Sequence, residues 1–209
     1  MPLIILLTLI VICLLFVLRK VSTENKELKR KLAENTTFLQ QLQTKDPLTQ
    51  VMTRHQFIPL VEEELRRARR NHFSMALIAC DLDFFNRYNE INGHIAGDEC
   101  LYKIAQTLDS SVKRAGECVC RMGGEEFWVL LPNVDERQAI DLANILRKKV
   151  QELKITHGDP AIAEYVTMSM GIVSFVPSEE DELKEWMWAA ENALNTAKNE
   201  GRDRYHIAE

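Results

Sequence analysis

Cys118-Val119-Cys120-Arg121-Met122-Gly123-Gly124-Glu125-Glu126-Phe127-Trp128-Val129-Leu130-Leu131 is the stretch that decides the architecture of this chain. Two apolar runs, Cys118 to Met122 and Phe127 to Leu131, flank two glycines and two acids. Val119, Phe127, Val129 and Leu131 suit strands, and consecutive glycines tolerate the positive φ of a tight hairpin. The spacing predicts a hairpin with carboxylates at its turn. A Gly-Gly turn alone is compatible with a bland surface loop, so the reading depends on whether other residues converge on it.

Asp81-Leu82-Asp83 do. They follow Met75-Ala76-Leu77-Ile78-Ala79-Cys80, a continuous apolar run that reads as a strand buried on both faces. An Asp at a strand end is ordinary turn chemistry when it stands alone. Facing a second acidic hairpin, it becomes part of a hard-oxygen donor set suited to Mg²⁺, which keeps some waters and takes phosphate oxygens as further ligands.

Between the two acidic points lies Phe84-Phe85-Asn86-Arg87-Tyr88-Asn89-Glu90-Ile91-Asn92-Gly93-His94-Ile95-Ala96-Gly97-Asp98. With it the chain resembles the GGDEF family of diguanylate cyclases. That family carries D-x-D-x-F-K-x-x-N-D-x-x-G-H-x-x-G-D, an Arg two residues before G-G-[DE]-E-F, and a late K-x-x-G-R. Here these are Asp81 to Asp98, Arg121 to Phe127, and Lys198-Asn199-Glu200-Gly201-Arg202. An upstream D-x-L-T-x-x-x-x-R-x-x-F appears as Asp46-Pro47-Leu48-Thr49 through Arg54 and Phe57. The likeness covers Asp46 to about Tyr205.

The resemblance implies condensation of two GTP molecules into cyclic di-GMP with release of two pyrophosphates, in an active site shared by two chains of a homodimer. It implies that Asp81, the backbone carbonyl of Leu82 and Glu125 hold Mg²⁺ (or Mn²⁺), and that Glu125, beside its neighbouring acid Glu126, helps to deprotonate the 3′-hydroxyl. Asn89 and Asp98 are implied as readers of the guanine edge. Lys198, Arg202 and the backbone at Phe84 and Phe85 are implied as contacts of the β- and γ-phosphates. The chemistry suits these residue types: guanine offers donors at N1 and the 2-amino group and an acceptor at O6, which one carboxylate and one amide can match. Acids gathered near Asp81 and Glu125 repel one another, which predicts raised pKa values and a need for a cation.

Two departures from the family pattern stand out. Asn86 occupies the position of the usual Lys, removing one positive charge near substrate phosphate, with Arg87, Arg121, Lys198 and Arg202 as candidate substitutes. The product-inhibition motif R-x-x-D is represented by Arg114-Ala115-Gly116-Glu117. Glu117 keeps the charge but adds a methylene, and an arginine–carboxylate fork is sensitive to distance; Arg114 and Glu117 are therefore a candidate inhibitory site only.

The chain has 209 residues, 46% hydrophobic and 27% charged, enough for one domain with a real core plus an appendage. A net charge of -5 argues against a nucleic-acid binder. The basic cluster Arg66-Arg67-Ala68-Arg69-Arg70 falls on a predicted helix from Arg54 to about Asn71 and reads as a solvated face. Cys13, Cys80, Cys100, Cys118 and Cys120 have no metal-ligand or redox spacing, which suggests a reducing compartment and thiols packed as small hydrophobes.

From Pro2 to Leu18 every residue is apolar except Thr8, and Arg19-Lys20 follow. Residues 1–20 read as a transmembrane anchor rather than a cleaved signal, for want of a basic n-region and a small-residue cleavage site. Positive charge after the span predicts a single-pass protein of the inner membrane with its carboxyl-terminal part in the cytoplasm. Over residues 21–45, Val21, Asn25, Leu28, Leu32, Asn35, Leu39 and Leu42 recur at four- and three-residue spacing, the seam of a short parallel coiled coil; a single amphipathic helix lying on the domain is the alternative.

Residues 46–209 are predicted to form an α/β sandwich of the nucleotide-cyclase palm type, a mainly antiparallel sheet flanked by helices. Helices are predicted over Leu101 to Val112, Asp135 to Leu153 and Glu182 to Asn199, and a β-rich segment over Val166 to Phe175. Trp186 and Trp188 read as packing residues and His94 as a structural turn residue. Two other readings retain the same fold: a catalytically weak receptor that binds GTP or cyclic di-GMP and signals by contact, and a membrane scaffold that only dimerises.

Overall fold

The computed structural model describes residues 18–32 and 43–208. The chain divides into two units, Met1–Gln43 and Thr44–Glu209. In the first, residues 18–32 are helical (α1) and every side chain along them is exposed, Val21 and Leu28 included. Most of the predicted anchor, and the seam positions Asn35, Leu39 and Leu42, lie outside the described residues. Among the described residues no helix is long and apolar enough to cross a membrane.

The second unit runs β1 (Met52–Thr53), α2 (Arg54–Asn71), β2 (Met75–Leu82), α3 (Phe85–Asn92), α4 (His94–Asp109), β3 (Cys118–Gly123), β4 (Glu126–Pro132), α5 (Glu136–Glu152), β5 (Met168–Phe175), α6 (Leu183–Asn199) and β6 (Tyr205–Ile207). Its six-stranded sheet has the order β1-β3-β4-β2-β5-β6. The inner pairs β3–β4, β4–β2 and β2–β5 are antiparallel, and the short edge strands β1 and β6 pair in parallel. The predicted palm-type sandwich is thus a mixed sheet, antiparallel at its centre.

Why β2 reads as unbroken apolar sequence is evident from its two faces. Ala76, Ile78, Cys80 and Leu82 pack with Leu101, Ile104 and Leu108 of α4 and Ala143, Leu146 and Val150 of α5. Met75, Leu77 and Ala79 pack with Phe57, Val61 and Leu65 of α2 and with Ala190 and Leu194 of α6. A strand covered on both sides has no polar face. Each large side chain buried there contributes about 1.5–3 kcal/mol.

Alternation continues to the strand's end, so Asp81 emerges on the α2/α6 face. That face is held close. A Cβ at Gly171 of β5 would lie 2.0 Å from the Ala190 carbonyl oxygen and 2.2 Å from the Leu194 amide nitrogen, so α6 rests directly on the sheet backbone. Helix α5 starts where predicted, with Asp135 accepting from Gln138 N–H at 2.8 Å and the Gln138 side chain accepting from Asp135 N–H at 3.2 Å. Such a capping box stabilises a helix by about 1 kcal/mol.

The structure refines several local expectations. Helix α4 begins at His94, not near Leu101, so Gly97 and Asp98 are helical rather than part of a turn, and His94 is an exposed helix-opening residue. Phe85–Asn92 form a separate short helix, set off by Gly93 at φ 82. Trp186 stacks on Phe175 with ring centroids 3.7 Å apart, and Trp188 is 67% exposed at the rim. The basic face of α2 is solvated at Arg66, Arg67 and Arg70, but Arg69 is half-buried and donates to the Asp181 carbonyl. All four described cysteines are free; burial raises the thiols of Cys100 and Cys118 to about 12 and lifts those of Cys80 and Cys120 as well, which keeps them protonated.

Candidate active site

The site is built where β2, the β3–β4 hairpin, the start of α3 and the end of α6 meet. Asp81 is the Cα partner of Glu126 across β2–β4, and the hairpin closes with Gly123 opposite Glu126. A bulge between Arg121 and Gly123, together with Gly123 at φ 154 and Gly124 at φ 52, carries Glu125 on the tip. The Gly124 value is one that only glycine adopts without cost.

The hairpin is anchored from behind. Arg121 donates to the Gly124 carbonyl at 2.9 Å and to Asp46 at 3.1 Å. Asp46 also accepts from the Thr49 amide at 2.7 Å and its hydroxyl at 2.6 Å. Although burial acts to raise it, these hydrogen bonds leave the Asp46 carboxyl below its ordinary value. The upstream Asp46-to-Thr49 motif therefore serves the geometry of the acidic turn.

Lys198, near the end of α6, places its ammonium 2.7 Å from Asp81. Burial pushes the Asp81 carboxyl up, Lys198 pulls it down, and the charges of Glu125 and Asp83 push it up again. The raised Asp81 carboxyl thus owes most to its burial, with a smaller contribution from the charge of Glu125. Glu126 behaves differently: its carboxylate accepts from the Trp128 indole N–H at 2.8 Å, a bond within its own strand that tethers it to the core. Leu82 is buried at the end of β2.

Phe84 takes a left-handed conformation, φ 54, and turns the chain into α3. Its carbonyl accepts the first intrahelical bond, from Tyr88 N–H at 3.0 Å, which leaves the N–H groups of the first turn of α3 directed outward. A helix start of this kind is an anion-binding device. The Arg202 guanidinium sits 4.1 Å from the centre of the Phe84 ring, and Phe85 is buried against Tyr88, ring centroids 5.9 Å apart. Arg202 is itself left-handed, φ 64, just past Gly201, φ 119.

Asn89 and Asp98 come together through Gly97. A Cβ there would lie 1.9 Å from Asn89 Oδ1, so the absence of a side chain at Gly97 is what admits the Asn89 amide. Asn89 Oδ1 is buried with no hydrogen-bond partner among the described residues, an arrangement unusual for a buried polar atom. Asp98 is exposed on the adjoining turn of α4.

Of the four cations considered as substitutes for the usual Lys at Asn86, two are held by partners away from the site and a third, Lys198, is paired with Asp81 within it. Arg87 is bound to Asp159 and Glu90, each at 3.0 Å, and Arg121 is engaged behind the hairpin. Lys198 and Arg202 remain at the site. Asn86 itself is exposed in the first turn of α3.

Two residues to which the sequence assigned no role of their own lie close to the site. Asp83 is 2% exposed and accepts three hydrogen bonds inside the protein, and His157, 1% exposed, lies with Nε2 3.4 Å from the Phe84 carbonyl oxygen. Asp83 stands in the Asp81-to-Asp98 motif, but spacing does not distinguish its surroundings from those of Asp81, and His157 belongs to no ligand spacing. The candidate inhibitory pair is distant in the fold, on the loop before β3: Glu117 accepts from the backbone N–H groups of Lys113 and Arg114, each at 2.9 Å, and its carboxylate stands 3.9 Å from Arg114 Nε. A cleft of about 240 Å³ adjoins them, also lined by Ser111, Gln138 and Asp141.

Among the described residues no three or more His, Cys, Asp or Glu side chains are grouped to hold a metal ion. The donors that the family resemblance implies, two carboxylates and a backbone carbonyl, would suit Mg²⁺, an ion that binds through one or two carboxylates plus substrate phosphates rather than in an all-protein cage.

Comparison with known proteins agrees with this geometry. The family described as "Diguanylate cyclase, GGDEF domain" matches residues 43–204. Diguanylate cyclase A of Treponema denticola is 31% identical over 180 residues, covering 85% of this chain and 47% of that protein. Diguanylate cyclase DgcP of Pseudomonas aeruginosa is 35% identical over 164 residues, covering 78% of this chain and 24% of that protein. The chain therefore spans about half, or less, of the length of these curated relatives. Among solved structures, the diguanylate cyclase SiaD of Pseudomonas aeruginosa, in complex with its activator SiaC, superimposes with a TM-score of 0.72 at 29% identity, covering 93% of this chain and 73% of that one. The four ordered motifs, the palm-type sheet and the matched span lead to one statement: this chain belongs to the GGDEF diguanylate cyclase family.

Proposed function

We propose that residues 46–209 are a diguanylate cyclase domain that joins two GTP molecules into cyclic di-GMP across a pair of chains. The observation that carries this reading is the Asp81 carboxyl, raised by burial, bound to Lys198 at 2.7 Å and sensing the charge of Glu125 at the hairpin tip. Acid from two separate β elements and a cation from a third element meet at one point.

In the proposed reaction each 3′-hydroxyl attacks the α-phosphorus of the other GTP. An O–P bond forms, the bond to pyrophosphate breaks, and the hydroxyl proton passes to a carboxylate, the role proposed for the partly exposed Glu125 at the hairpin tip. Asp81, Glu125 and the Leu82 carbonyl would hold Mg²⁺, which when bound neutralises charge on the phosphates. Lys198, Arg202 and the N–H groups opening α3 bind the β- and γ-phosphates, and Asn89 with Asp98 reads guanine. Each chain holds one GTP, so the two half-sites must face each other. The exposed Val21 and Leu28 of α1 support pairing of two chains along this helix, which raises the local concentration of the second half-site. The apolar run at residues 2–18 supports anchorage in the inner membrane with the domain on the cytoplasmic side.

Incubating the full chain with GTP and Mg²⁺ and separating products by chromatography tests the reading. Cyclic dinucleotide forms, and chelation of the metal stops its formation. Dimeric protein that binds GTP yet yields no product would establish the receptor reading instead. That second reading has one observation in its favour: Asn86 carries no charge and Arg87 is held elsewhere. If the missing charge limits turnover, Asn86→Lys raises kcat/KM by about tenfold, the worth of one charge-assisted hydrogen bond. An unchanged value would show that Lys198 and Arg202 suffice.

Gly97→Ala separates fold from substrate reading. Alanine is favoured over glycine in a helix by roughly 1 kcal/mol, so thermal stability holds or rises. The new methyl displaces the Asn89 amide, and GTP binding weakens about tenfold with selectivity over ATP reduced. Calorimetric titration with both nucleotides checks this; unaltered selectivity would remove Asn89 from the guanine site. Product feedback at Arg114 and Glu117 is proposed to be weak, because the Glu117 carboxylate is already engaged by two backbone N–H groups.

A further inference from the structure

Asp83 is the most enclosed charged side chain near the site, 2% exposed, and the reaction proposed above gives it no part. Its Oδ1 accepts from the Ser169 hydroxyl at 2.6 Å. Its Oδ2 accepts from the Thr167 hydroxyl at 2.7 Å and from the Asp203 backbone N–H at 3.0 Å. Its own N–H donates to the Thr167 carbonyl at 2.9 Å. Three of a carboxylate's roughly four lone-pair positions are occupied by protein donors, so this acid is not presented to a metal or a nucleotide.

What it joins is more informative than what it lacks. On one side is the turn at Phe84, φ 54, which opens α3. On the other is the segment after α6, where Arg202 and Asp203 are both left-handed, φ 64 and 46. Such conformations are unfavourable for non-glycine residues, which keep them only when their surroundings fix them. The Asp203 side of this pair is fixed further by Arg147, which donates to its carbonyl at 3.1 Å and its carboxylate at 3.2 Å, and by Gln151, which donates to its carboxylate at 2.6 Å. Both strained segments carry proposed phosphate contacts, the N–H groups after Phe84 and the guanidinium of Arg202, and the latter packs on the Phe84 ring at 4.1 Å.

We infer that Asp83 is a positioning residue: a buried strut that ties the Phe84 turn to the Arg202-Asp203 segment through Thr167, Ser169 and the Asp203 N–H, and so sets the spacing of the triphosphate site. It acts through its neighbours and touches neither substrate nor metal. The inference rests on the functional reading above for the identity of the ligand, and on geometry alone for the coupling of the two segments.

The test uses the full chain and the variants Asp83→Ala, Asp83→Asn and Thr167→Val. Amide hydrogen exchange, read without nucleotide, shows faster exchange in Asp83→Ala at residues 84–88 and 200–205 together, with the sheet centre unaltered. Calorimetry then shows GTP affinity reduced about tenfold or more, in keeping with the cost of misplacing binding groups by around an ångström, while guanosine affinity is retained. Asp83→Asn recovers most of both signals, since its amide oxygen still accepts at the Oδ2 position and Ser169 can turn its hydroxyl to accept from the amide nitrogen. If Asp83→Ala does not fold, Thr167→Val, which removes a single donor, still produces the paired change in exchange on a smaller scale.

Exchange that rises at only one segment, or at neither, overturns the inference. So does an Asp83→Asn variant as defective as Asp81→Asn, because that result would make the charge, rather than the hydrogen-bond geometry, the operative property. Lack of cyclic dinucleotide synthesis by the unaltered chain would sink the functional reading and leave the exchange result standing, so the two failures are distinguishable.

Discussion

Replacing Glu125 with Gln abolishes formation of cyclic dinucleotide and leaves the melting temperature unaltered. The side chain sits on a hairpin tip whose shape is set by Gly123, Gly124 and the Arg121 bond to the Gly124 carbonyl, none of which the substitution touches. Glu125 is partly exposed, so its removal opens no cavity. The amide has the same size but no charge, cannot accept a proton from a hydroxyl, and is a poorer donor to a hard cation. Loss of one preorganised electrostatic contact costs about 10²–10³ in turnover, and a residue that serves as both ligand and base loses at least as much. Turnover with GTP and Mg²⁺, measured beside a thermal melt, decides it. Retained synthesis would remove Glu125 from the chemistry, and a collapsed melt would make the residue structural.

Gly171→Ala has the opposite signature, a large loss of stability with a loss of activity that follows from it. The added methyl would meet the Ala190 carbonyl oxygen at 2.0 Å and the Leu194 amide nitrogen at 2.2 Å, both backbone atoms of α6. No rotamer relieves such overlap, so the helix must shift as a body from the sheet. Overpacking of this kind costs about 3 kcal/mol, which for a domain of this size lowers Tm by roughly 10 °C. Because Lys198 lies on the same helix, its 2.7 Å contact with Asp81 is lost with the shift, and KM for GTP rises in whatever fraction remains folded. Thermal denaturation and steady-state kinetics on the variant check the two effects; an unchanged Tm would mean that the sheet, not the helix, yields.

How far these features were legible in the sequence depends on the range of the interaction behind each. The hairpin acids, the strand before Asp81 and the capped start of α5 are local, written in alternation, glycine pairs and the Asp135/Gln138 spacing. Helix α3 was missed because eight residues with two buried side chains, Phe85 and Tyr88, hold too little periodicity to register. The start of α4 was placed too late because Gly97-Asp98 reads as a turn, whereas Gly97 is there to admit Asn89 from another helix. The parallel edge strands β1 and β6 are two and three residues long and owe their existence to the strands they flank.

The site divides along the same line. The expectation that Asp81, Asn89, Asp98, Glu125, Lys198 and Arg202 share one site came from ordered motifs along the chain. That Lys198 neutralises Asp81, that Arg87 and Arg121 are engaged elsewhere, and that Glu117 is folded back on its own loop depended on partners up to 117 residues apart.

The amino-acid sequence by itself determined the identity of the acidic turn, the doubly buried strand and the family, since these reside in residue type and short-range spacing, where side-chain sterics and alternation act directly. Only the tertiary structure decided which charges are available and which acid is a strut. A carboxylate such as Asp83 looks no different from Asp81 until the fold brings Thr167, Ser169 and Asp203 to it, because hydrogen-bond partners and desolvation are set by three-dimensional proximity and not by position along the chain.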